Sequence, residues 1–343
     1  MTIVRLKISQ IWQLVLPVVM KCWALSSAAV FTFLLVYWAY GGLLALFLLG
    51  FAITGIFYHI QDSLLYHPGE SFQSRIFVQT PSVFGLPYEN VFMRSIDGTL
   101  LHLYFIRQPA EKVSQVPTLV YLHGNAGNVG HSLVYRLYNA SELYNNLHCN
   151  LLMLEYRGYG LSKGSPSEEG LCMDARAAID FLSSRPDVNQ RLIIVFGRSL
   201  GGAVAVDLAA RPEYSARIWC LILENTFTSI PDMALTLIHW NFIKYFPLWF
   251  FKNKFMSKRK VSHIQVPTLF ISGLSDALVP PDMMKELHTL CGSLQKQLLQ
   301  VDSGTHNDTW VCPGYYANIA NFLNSMISFQ PDPPVLKSCI KSV

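Results

Sequence analysis

Short apolar runs alternate with helix-like segments along most of the chain. The helix-like segments, such as EEGLCMDARAAIDFLSSRP, carry apolar residues at helical spacing, whereas the runs are continuously apolar and end in glycine or polar residues. Continuous apolar strands that alternate with helices are typical of a mostly parallel sheet with helices on both faces. The pattern therefore predicts a doubly wound α/β fold over residues 86–330. The runs interpreted as strands include TLVYLHG, CNLLMLEYRGYG, RLIIVFGRS, RIWCLILENTF and VPTLFISGLSD.

The N-terminal part of the chain follows a different pattern, because no Asp, Glu, Lys or Arg occurs between Lys21 and Asp62. The stretch from Tyr37 to Tyr58 is long enough to cross a bilayer core, which takes about 20 apolar residues. A cleaved signal peptide would lie nearer the start, and a helix that is apolar on all faces is rare in a soluble domain. We therefore predict one transmembrane helix over residues 37–58.

The segments on either side of this helix are assigned from their composition. Residues 1–36 are predicted to form a cytosolic N-terminus and an apolar lead-in, and residues 59–85 a polar connector. The run FTFLLVY could add a second span in a tight hairpin. One span is the preferred interpretation, because Gly41-Gly42 is the only internal break and no polar turn separates two helices. Residues 331–343 are predicted to form a loose C-terminal tail.

The charges that flank the predicted helix indicate its orientation. Arg5, Lys7 and Lys21 precede it without any acidic residue among them, whereas Asp62 and Glu70 follow it. Because positively charged flanks stay on the cytosolic side, we expect a single-pass type II membrane protein whose globular part is luminal or extracellular.

Two N-x-S/T sequons lie in the globular part, at Asn139 and Asn307. Both would be candidates for glycosylation in a type II orientation. Such triplets also arise by chance, so they are compatible with this topology without establishing it.

Composition narrows the classes of function. The 343 residues carry a net charge of +4, and the basic patch KNKFMSKRK is short, so nucleic-acid binding is not expected. The seven cysteines include no C-x-x-C pair and no metal-ligand spacing. We therefore expect no metal and no organic cofactor, and no protein partner is evident. The expected partners are the lipid bilayer and a small lipophilic acyl substrate.

One segment interrupts the alternation of strands and helices. WNFIKYFPLWFFKNKF, from Trp240 to Phe255, is half aromatic and lies inside a lid-like insertion over residues 227–262. It could be an ordinary packed amphipathic helix, a short lid over an apolar pocket, or a patch that rests on the bilayer. Trp240, Phe246 and Trp249 are the candidate residues for lining a substrate pocket.

Nearly all polar residues of chemical interest lie directly after a predicted strand, in HGNAGN, EYRGYG, GRSLGG, ENTF, LSDALVP and SGTHND. Sites in open α/β sheets form at this carboxyl edge. In the third of these, Ser199 has glycine two residues before it and two residues after it. A G-x-S-x-G sequence alone is common by chance. Between a strand and a small-residue helix, it predicts a strained turn that lifts the Ser199 hydroxyl above the sheet.

A serine nucleophile needs a base, which is usually a histidine that a carboxylate holds in place. In this architecture the order along the chain is Ser, then Asp or Glu, then His. Asp276 and His306 follow the last two predicted strands in that order. Taken singly, Asp276 could be a turn former and His306 a surface residue. Asp282, Asp302 and Asp308 are the alternative carboxylates, and of the four aspartates only Asp276 lies at a clean strand exit.

An oxyanion intermediate needs two hydrogen-bond donors. The backbone N–H of Leu200, which follows the predicted nucleophile, is the first candidate. The second is the backbone N–H of Asn125, in the loop after an earlier strand. His123 in the same loop is predicted to be structural.

Together, HGNAGN, EYRGYGLS, GRSLGGAVA, GLSDALVPP and GTHNDTW resemble the α/β-hydrolase superfamily, and within it a single-span membrane member. The resemblance covers nearly the whole chain. It implies an α/β-hydrolase fold, the triad Ser199, Asp276 and His306, a type II anchor and a glycan on Asn307. Glu155 departs from the aspartate that many relatives have at this non-catalytic position. The resemblance implies no particular substrate.

These observations predict a membrane-anchored serine hydrolase that cleaves a lipophilic ester or thioester through an acyl-enzyme on Ser199. An alternative is a non-catalytic membrane-tethered binding protein on a hydrolase scaffold. A second alternative keeps the enzyme but places the domain in the cytosol, as an acyl-protein thioesterase.

Overall fold

The structure is a computed structural model that describes residues 23–69, 78–128, 134–238 and 244–327. The chain divides into two compact units. The first contains residues 1–65 and 247–252, and the second contains residues 66–246 and 253–343. The predicted C-terminal tail lies outside the described residues.

The first unit contains two apolar helices, α1 (Trp23–Tyr40) and α2 (Gly42–Leu65), which contact each other. Between them, Gly41 has a φ of +85°, a left-handed conformation that glycine adopts without steric strain. This arrangement differs from the predicted single helix over 37–58. The glycine pair does end a helix, and the second helix continues past Tyr58 into the predicted connector.

Helix α2 is the one helix in the described part of the chain that is long and apolar enough to cross a membrane. It has 24 residues with a mean hydropathy of 2.1 in its most apolar window, and only 6% of that window is buried. Leu43 and Phe47, for example, are 88% and 71% exposed. Their exposure separates α2 from the core helix of a soluble domain, which would bury such side chains.

Residues 247–252, from the aromatic segment, belong to this first unit. Their short 3₁₀ turn, Leu248–Phe250, lies against the C-terminal part of α2. The Phe250 ring stacks on that of Phe57 with 5.1 Å between centroids. The Gln61 amide donates to the Phe250 carbonyl at 2.7 Å and accepts from the Lys252 N–H at 2.8 Å. Polar and aromatic contacts therefore hold this turn to the helix.

The second unit is built on an eight-stranded sheet with the order β1-β2-β4-β3-β5-β6-β7-β8. β1 and β2 form an antiparallel hairpin, β2 also pairs with β4 in the antiparallel sense, and every other pair is parallel. The strands are β1 (Tyr88–Arg94), β2 (Leu100–Ile106), β3 (Thr118–Leu122), β4 (Asn150–Glu155), β5 (Ile193–Arg198), β6 (Cys220–Glu224), β7 (Thr268–Gly273) and β8 (Lys296–Val301).

Helices cover both faces of this sheet. Successive strand residues point to opposite faces, and the residues on both faces are buried. On one face, Tyr121 of β3 and Phe196 of β5 join a single core with the two helices α3 and α10. Helices α4 and α5 pack against each other and contact the same strands. The helices of this unit are α3 (Val134–Leu147), α4 (Glu168–Ser183), α5 (Leu200–Ala209), α6 (Pro212–Ser215), α7 (Ile230–Ile238), α8 (Ser257–Lys260), α9 (Pro281–Leu290) and α10 (Tyr315–Ile327).

The predicted mostly parallel, doubly wound fold is therefore confirmed. The continuous apolar runs form the central strands, and all five residues of β3 and β6 are buried. Parallel strands buried on both faces need no polar alternation, and this explains why their sequences are uniformly apolar.

Candidate active site

The polar residues at the strand ends meet around Ser199, which lies between β5 and α5. Its backbone has φ 53° and ψ −120°, a conformation that is rare for a residue with a side chain and costs about 1–3 kcal/mol. Two hydrogen bonds from neighbouring chain segments hold it there. The Ser199 N–H donates to the Glu224 carbonyl at 2.9 Å, and the Thr226 hydroxyl donates to the Ser199 carbonyl at 2.7 Å.

The two glycines that flank this serine allow close backbone contacts. A Cβ atom on Gly201 would lie 2.0 Å from the Leu122 carbonyl oxygen, and one on Gly197 would lie 2.5 Å from the Gly201 carbonyl oxygen. No larger residue fits at either position without moving the backbone. The G-x-S-x-G spacing is thus a packing requirement of the turn.

His306, in the loop after β8, bridges Ser199 and Asp276. Its Nε2 atom lies 3.1 Å from the Ser199 Oγ, and its Nδ1 atom lies 2.7 Å from the Asp276 Oδ2. Because an ionised carboxylate only accepts, Nδ1 carries a proton and Nε2 is left to accept the Ser199 proton. The other Asp276 oxygen accepts the N–H groups of Leu278 and Val279, both at 2.8 Å. The structure brings the three predicted residues together with the geometry of a nucleophile, a base and an orienting carboxylate.

Arg198 and Asn225 fix the loop that carries His306, although no motif in the sequence predicted a role for either. One Arg198 nitrogen donates to the His306 carbonyl at 2.6 Å and to the Asn307 side chain at 2.8 Å. The Asn225 amide donates to the Thr305 carbonyl at 3.1 Å. Both residues lie at the ends of predicted strands, Arg198 in GRSLGG and Asn225 in ENTF. This position at the sheet edge is the one sequence feature that could have pointed to them.

Glu224 balances the charge of Arg198. The Arg198 Nε atom lies 3.2 Å from the Glu224 carboxylate, and both side chains are almost fully buried. Burial raises the pKa of the Glu224 carboxyl, and the Arg198 cation opposes that shift. The Tyr315 hydroxyl also donates to this carboxylate. Arg198 is therefore a paired cation that positions the histidine loop.

The loop after β3 also approaches Ser199. A Cβ atom on Gly124 would lie 3.5 Å from the Ser199 Cβ, so this backbone is in van der Waals range of the nucleophile candidate. The Asn125 carbonyl accepts from the His67 N–H at 3.0 Å and from the Tyr159 hydroxyl at 2.8 Å. Leu200 is the first residue of α5. Both backbone positions predicted as oxyanion donors therefore lie beside Ser199.

His123 is fully buried beneath this loop. Its Nδ1 atom lies 2.7 Å from the Gly124 carbonyl oxygen, and its Nε2 atom lies 3.5 Å from the Glu155 carboxylate. Burial, with a further contribution from the Arg136 charge, lowers the pKa of His123 well below the usual value, so the ring is neutral. His123 supports the loop, in line with the structural role predicted for it.

A cavity of about 380 Å³ opens at Ser199 and His306. Its walls carry polar and basic side chains, while apolar atoms form about half of the lining surface, and the aromatic segment does not contribute to them. Of the three residues predicted to line a substrate pocket, Phe246 is half-buried and does not line this cavity. Trp240 lies outside the described residues. Trp249 belongs to the first unit, where it is 70% exposed. The lining residues are His67, Gly124, Asn125, Ala126, Arg136, Arg198, Ser199, Leu278, His306 and Asn307.

The two sequons occupy different environments. Asn139 lies in α3 and is only 1% exposed, and its Nδ2 atom, where a glycan would attach, is buried. The folded domain therefore has no room for a glycan at Asn139, because the sequon is on a packed helix face. Asn307 is exposed but also lines the cavity beside His306.

Among the described residues, no group of three or more His, Cys, Asp or Glu side chains is placed to hold a metal ion. The polar groups at the sheet edge are instead arranged as a nucleophile, a base and a carboxylate.

Comparisons with known proteins agree with this architecture. A sequence model for the alpha/beta hydrolase fold matches residues 117–256. The alpha/beta hydrolase domain-containing protein WAV2 of Arabidopsis thaliana is 39% identical over 279 residues, which cover 77% of this chain and 87% of that protein. The uncharacterized membrane protein YNL320W of Saccharomyces cerevisiae is 34% identical over 290 residues, which cover 82% of this chain and 94% of that protein. The solved structure of the Pyrococcus furiosus esterase Pf2001 superposes with a TM-score of 0.61 at 19% identity, covering 76% of this chain and 98% of the esterase.

Proposed function

We propose that this chain, which belongs to the alpha/beta hydrolase family, is a serine hydrolase that cleaves an ester or thioester through an acyl-enzyme on Ser199. The observation that carries the proposal is the continuous contact from Ser199 through His306 to Asp276, at 3.1 and 2.7 Å. A non-catalytic binding protein would have no need for all three side chains in this arrangement.

In the proposed reaction, the Ser199 oxygen attacks the acyl carbonyl carbon while His306 Nε2 takes the hydroxyl proton. The tetrahedral intermediate collapses and expels the alcohol or thiol, which receives that proton from His306. Water then attacks the acyl-enzyme, with His306 again as the base, and Ser199 regains its proton as the carboxylic acid leaves. Asp276 stays ionised throughout and holds the imidazole in the required tautomer.

The N–H groups of Leu200 and Asn125 are the proposed donors to the oxyanion. Each such donor contributes on the order of 10²–10³ in rate when it is aimed at the developing charge. The N-terminus of α5 adds a favourable partial charge at the same place.

We further propose that α2 anchors the protein in a membrane as a type II protein and that the substrate has a lipophilic part. The length and exposed apolar surface of α2 support the anchor, as does the name of the yeast relative. In the first unit, Trp249 is exposed on a turn that Gln61 fixes to α2, and Lys252 pairs there with Asp62. Tryptophan and charged residues at a helix end are typical of the membrane–water interface.

Two experiments test these proposals separately. A fluorophosphonate probe should label the wild-type chain and the Ser303→Ala control, whose serine is exposed near His306, but not Ser199→Ala. Labelling that persists in Ser199→Ala, or is missing from the wild type, contradicts the hydrolase proposal. For topology, a protease added to intact vesicles should spare the second unit if it is luminal and digest it if it is cytosolic, in which case the type II proposal is wrong.

A further inference from the structure

Two buried arginines line the cavity at Ser199, and they differ in their partners. Arg198 is paired with the Glu224 carboxylate at 3.2 Å. Arg136, in the first turn of α3, is 8% exposed and donates only to backbone carbonyls, those of Ala126 and, at 2.8 Å, Asn128. Among the described residues, no carboxylate forms an ion pair with Arg136.

A buried cation without a counter-ion is energetically unfavourable. Burial lowers the pKa of Arg136, and the Arg198 charge acts in the same direction, whereas the Glu155 carboxylate, which forms no ion pair with Arg136, opposes part of this shift. The guanidinium nevertheless remains charged in proteins, because its intrinsic pKa is so high. A cation in the first turn of a helix also opposes the helix dipole. An anion in the cavity would relieve all three unfavourable effects.

The remaining cavity walls favour the same kind of ligand. The described lining residues include the imidazoles of His67 and His306 and the amide side chain of Asn307, but no Asp or Glu. The side chains of Leu278 and Ala126 are apolar, and apolar atoms contribute about half of the lining surface. Charged oxygen atoms of a ligand would gain charge-assisted hydrogen bonds from the polar half.

We infer that the substrate is an ester or thioester that itself carries an anionic group, a carboxylate or a phosphate, and that Arg136 recognises this group. The planar guanidinium has five N–H donors. Its two hydrogen bonds to carbonyl groups use only some of them, so the others can bind the ligand. The inference rests on the proposed function, since the acyl carbonyl must reach Ser199 while the anion contacts Arg136. The substrate class is then an anionic amphiphile, whose lipophilic part lies outside this cavity.

Matched pairs of esters test the inference on the full chain in detergent micelles. A phosphate on the alcohol side is tested with lysophosphatidic acid against the monoacylglycerol of the same chain. A carboxylate on the acyl side is tested with the mono-4-nitrophenyl ester of adipic acid against 4-nitrophenyl hexanoate. We expect kcat/KM to be at least about tenfold higher for the anionic member of one pair, and the pair identifies the anion. Equal or faster hydrolysis of the neutral member in both pairs overturns the inference.

Substitutions assign the preference to Arg136. Arg136→Gln should lower the anionic-to-neutral ratio of kcat/KM to about one, whereas Arg136→Lys, which keeps the charge, should retain an intermediate ratio. The ratio cancels any general loss of activity that follows from the loop contacts of Arg136. Arg191→Gln, a control at an exposed arginine, should leave the ratio unchanged. An unchanged ratio in Arg136→Gln contradicts the role of Arg136.

Binding without turnover separates this inference from the proposed function. Inorganic phosphate or adipate should raise the Tm of the wild-type chain, or of Ser199→Ala, and should do so less in Arg136→Gln. If the probe labels the chain normally but neither an anion preference nor a Tm shift is seen, the anion site is refuted and the hydrolase proposal stands. Absent labelling refutes the hydrolase proposal, and a Tm shift that depends on Arg136 would then still support the anion site. If Arg136→Gln does not fold, the ester pairs and the Tm shift in the wild type decide.

Discussion

The two walls of the cavity use the same residue type for different tasks. On the histidine wall, formed by Arg198 and the His306 loop, a buried arginine is paired with the Glu224 carboxylate behind it and holds the loop that carries His306. On the Arg136 wall, formed by the loop after β3 and the first turn of α3, a buried arginine donates to carbonyls and has no carboxylate partner in the described part of the chain. The difference indicates that the first cation completes the protein structure, whereas the second is available to a ligand.

Breaking the reactive contacts of the histidine wall should have the largest effect. In Asp276→Asn the imidazole loses the carboxylate that fixes its tautomer, and kcat should fall by about 10⁴, while His306→Ala should cost about 10⁶. Steady-state hydrolysis of the preferred ester measures both. Asp282→Asn, at the start of α9, should retain activity as the matched control. A loss of less than tenfold in Asp276→Asn would mean that this carboxylate does not orient His306.

A smaller effect should separate the two arginines in stability. Arg198→Gln leaves the buried Glu224 carboxylate without its cation, so it should lower the free energy of unfolding by about 3–5 kcal/mol at pH 7. Arg136→Gln removes a cation that has no carboxylate partner, and it should cost about 1–2 kcal/mol. Urea unfolding in detergent measures these values, with Arg191→Gln as the control within about 0.5 kcal/mol of wild type. Equal losses in the two variants would remove the distinction between paired and unpaired arginines.

The smallest expected effect concerns pH. Burial and the Arg136 charge keep His123 neutral in the folded state, whereas the unfolded chain binds a proton there below about pH 6.5. The unfolded state therefore binds more protons, and the free energy of unfolding falls by up to about 2 kcal/mol from this group between pH 6.5 and pH 5. Burial is the larger cause of the shift, so Arg136→Gln should keep His123 neutral and show a similar loss over the same window.

His102 provides the comparison for the pH measurement. Burial lowers its pKa to about 4, so it contributes an acid-induced loss with the same sign. His102→Gln should remove about 2 kcal/mol of the loss between pH 6.5 and pH 5, and it does not involve Arg136. If His102→Gln keeps the wild-type slope between pH 6.5 and pH 5, burial does not keep His102 neutral in the folded state.

The sequence was sufficient for the fold and for the positions of the triad residues, because local patterns encode both. Continuous apolar runs indicate strands buried on both faces, and a serine between two glycines fits a turn where a Cβ atom would clash. The strand-exit rule then placed Asp276 and His306 at the same edge, where the structure has them. These predictions needed no knowledge of long-range packing.

The sequence did not predict features that depend on contacts between residues far apart in the chain. The Arg198–Glu224 pair joins two neighbouring strands of the folded sheet, and nothing in either motif specifies the partner. The Asn139 sequon gives no sign of its burial in α3. An aromatic composition also does not reveal that residues 247–252 belong to the unit of the apolar helices.

The most direct test of the central claim is to identify the residue that becomes covalently modified. The full-length chain is reacted with a fluorophosphonate in detergent and digested, and the modified peptide is sequenced by mass spectrometry. We expect a single adduct on the Ser199 hydroxyl, with a rate that falls strongly in His306→Ala. An adduct on another residue, or an unmodified Ser199 in a folded chain, would contradict it.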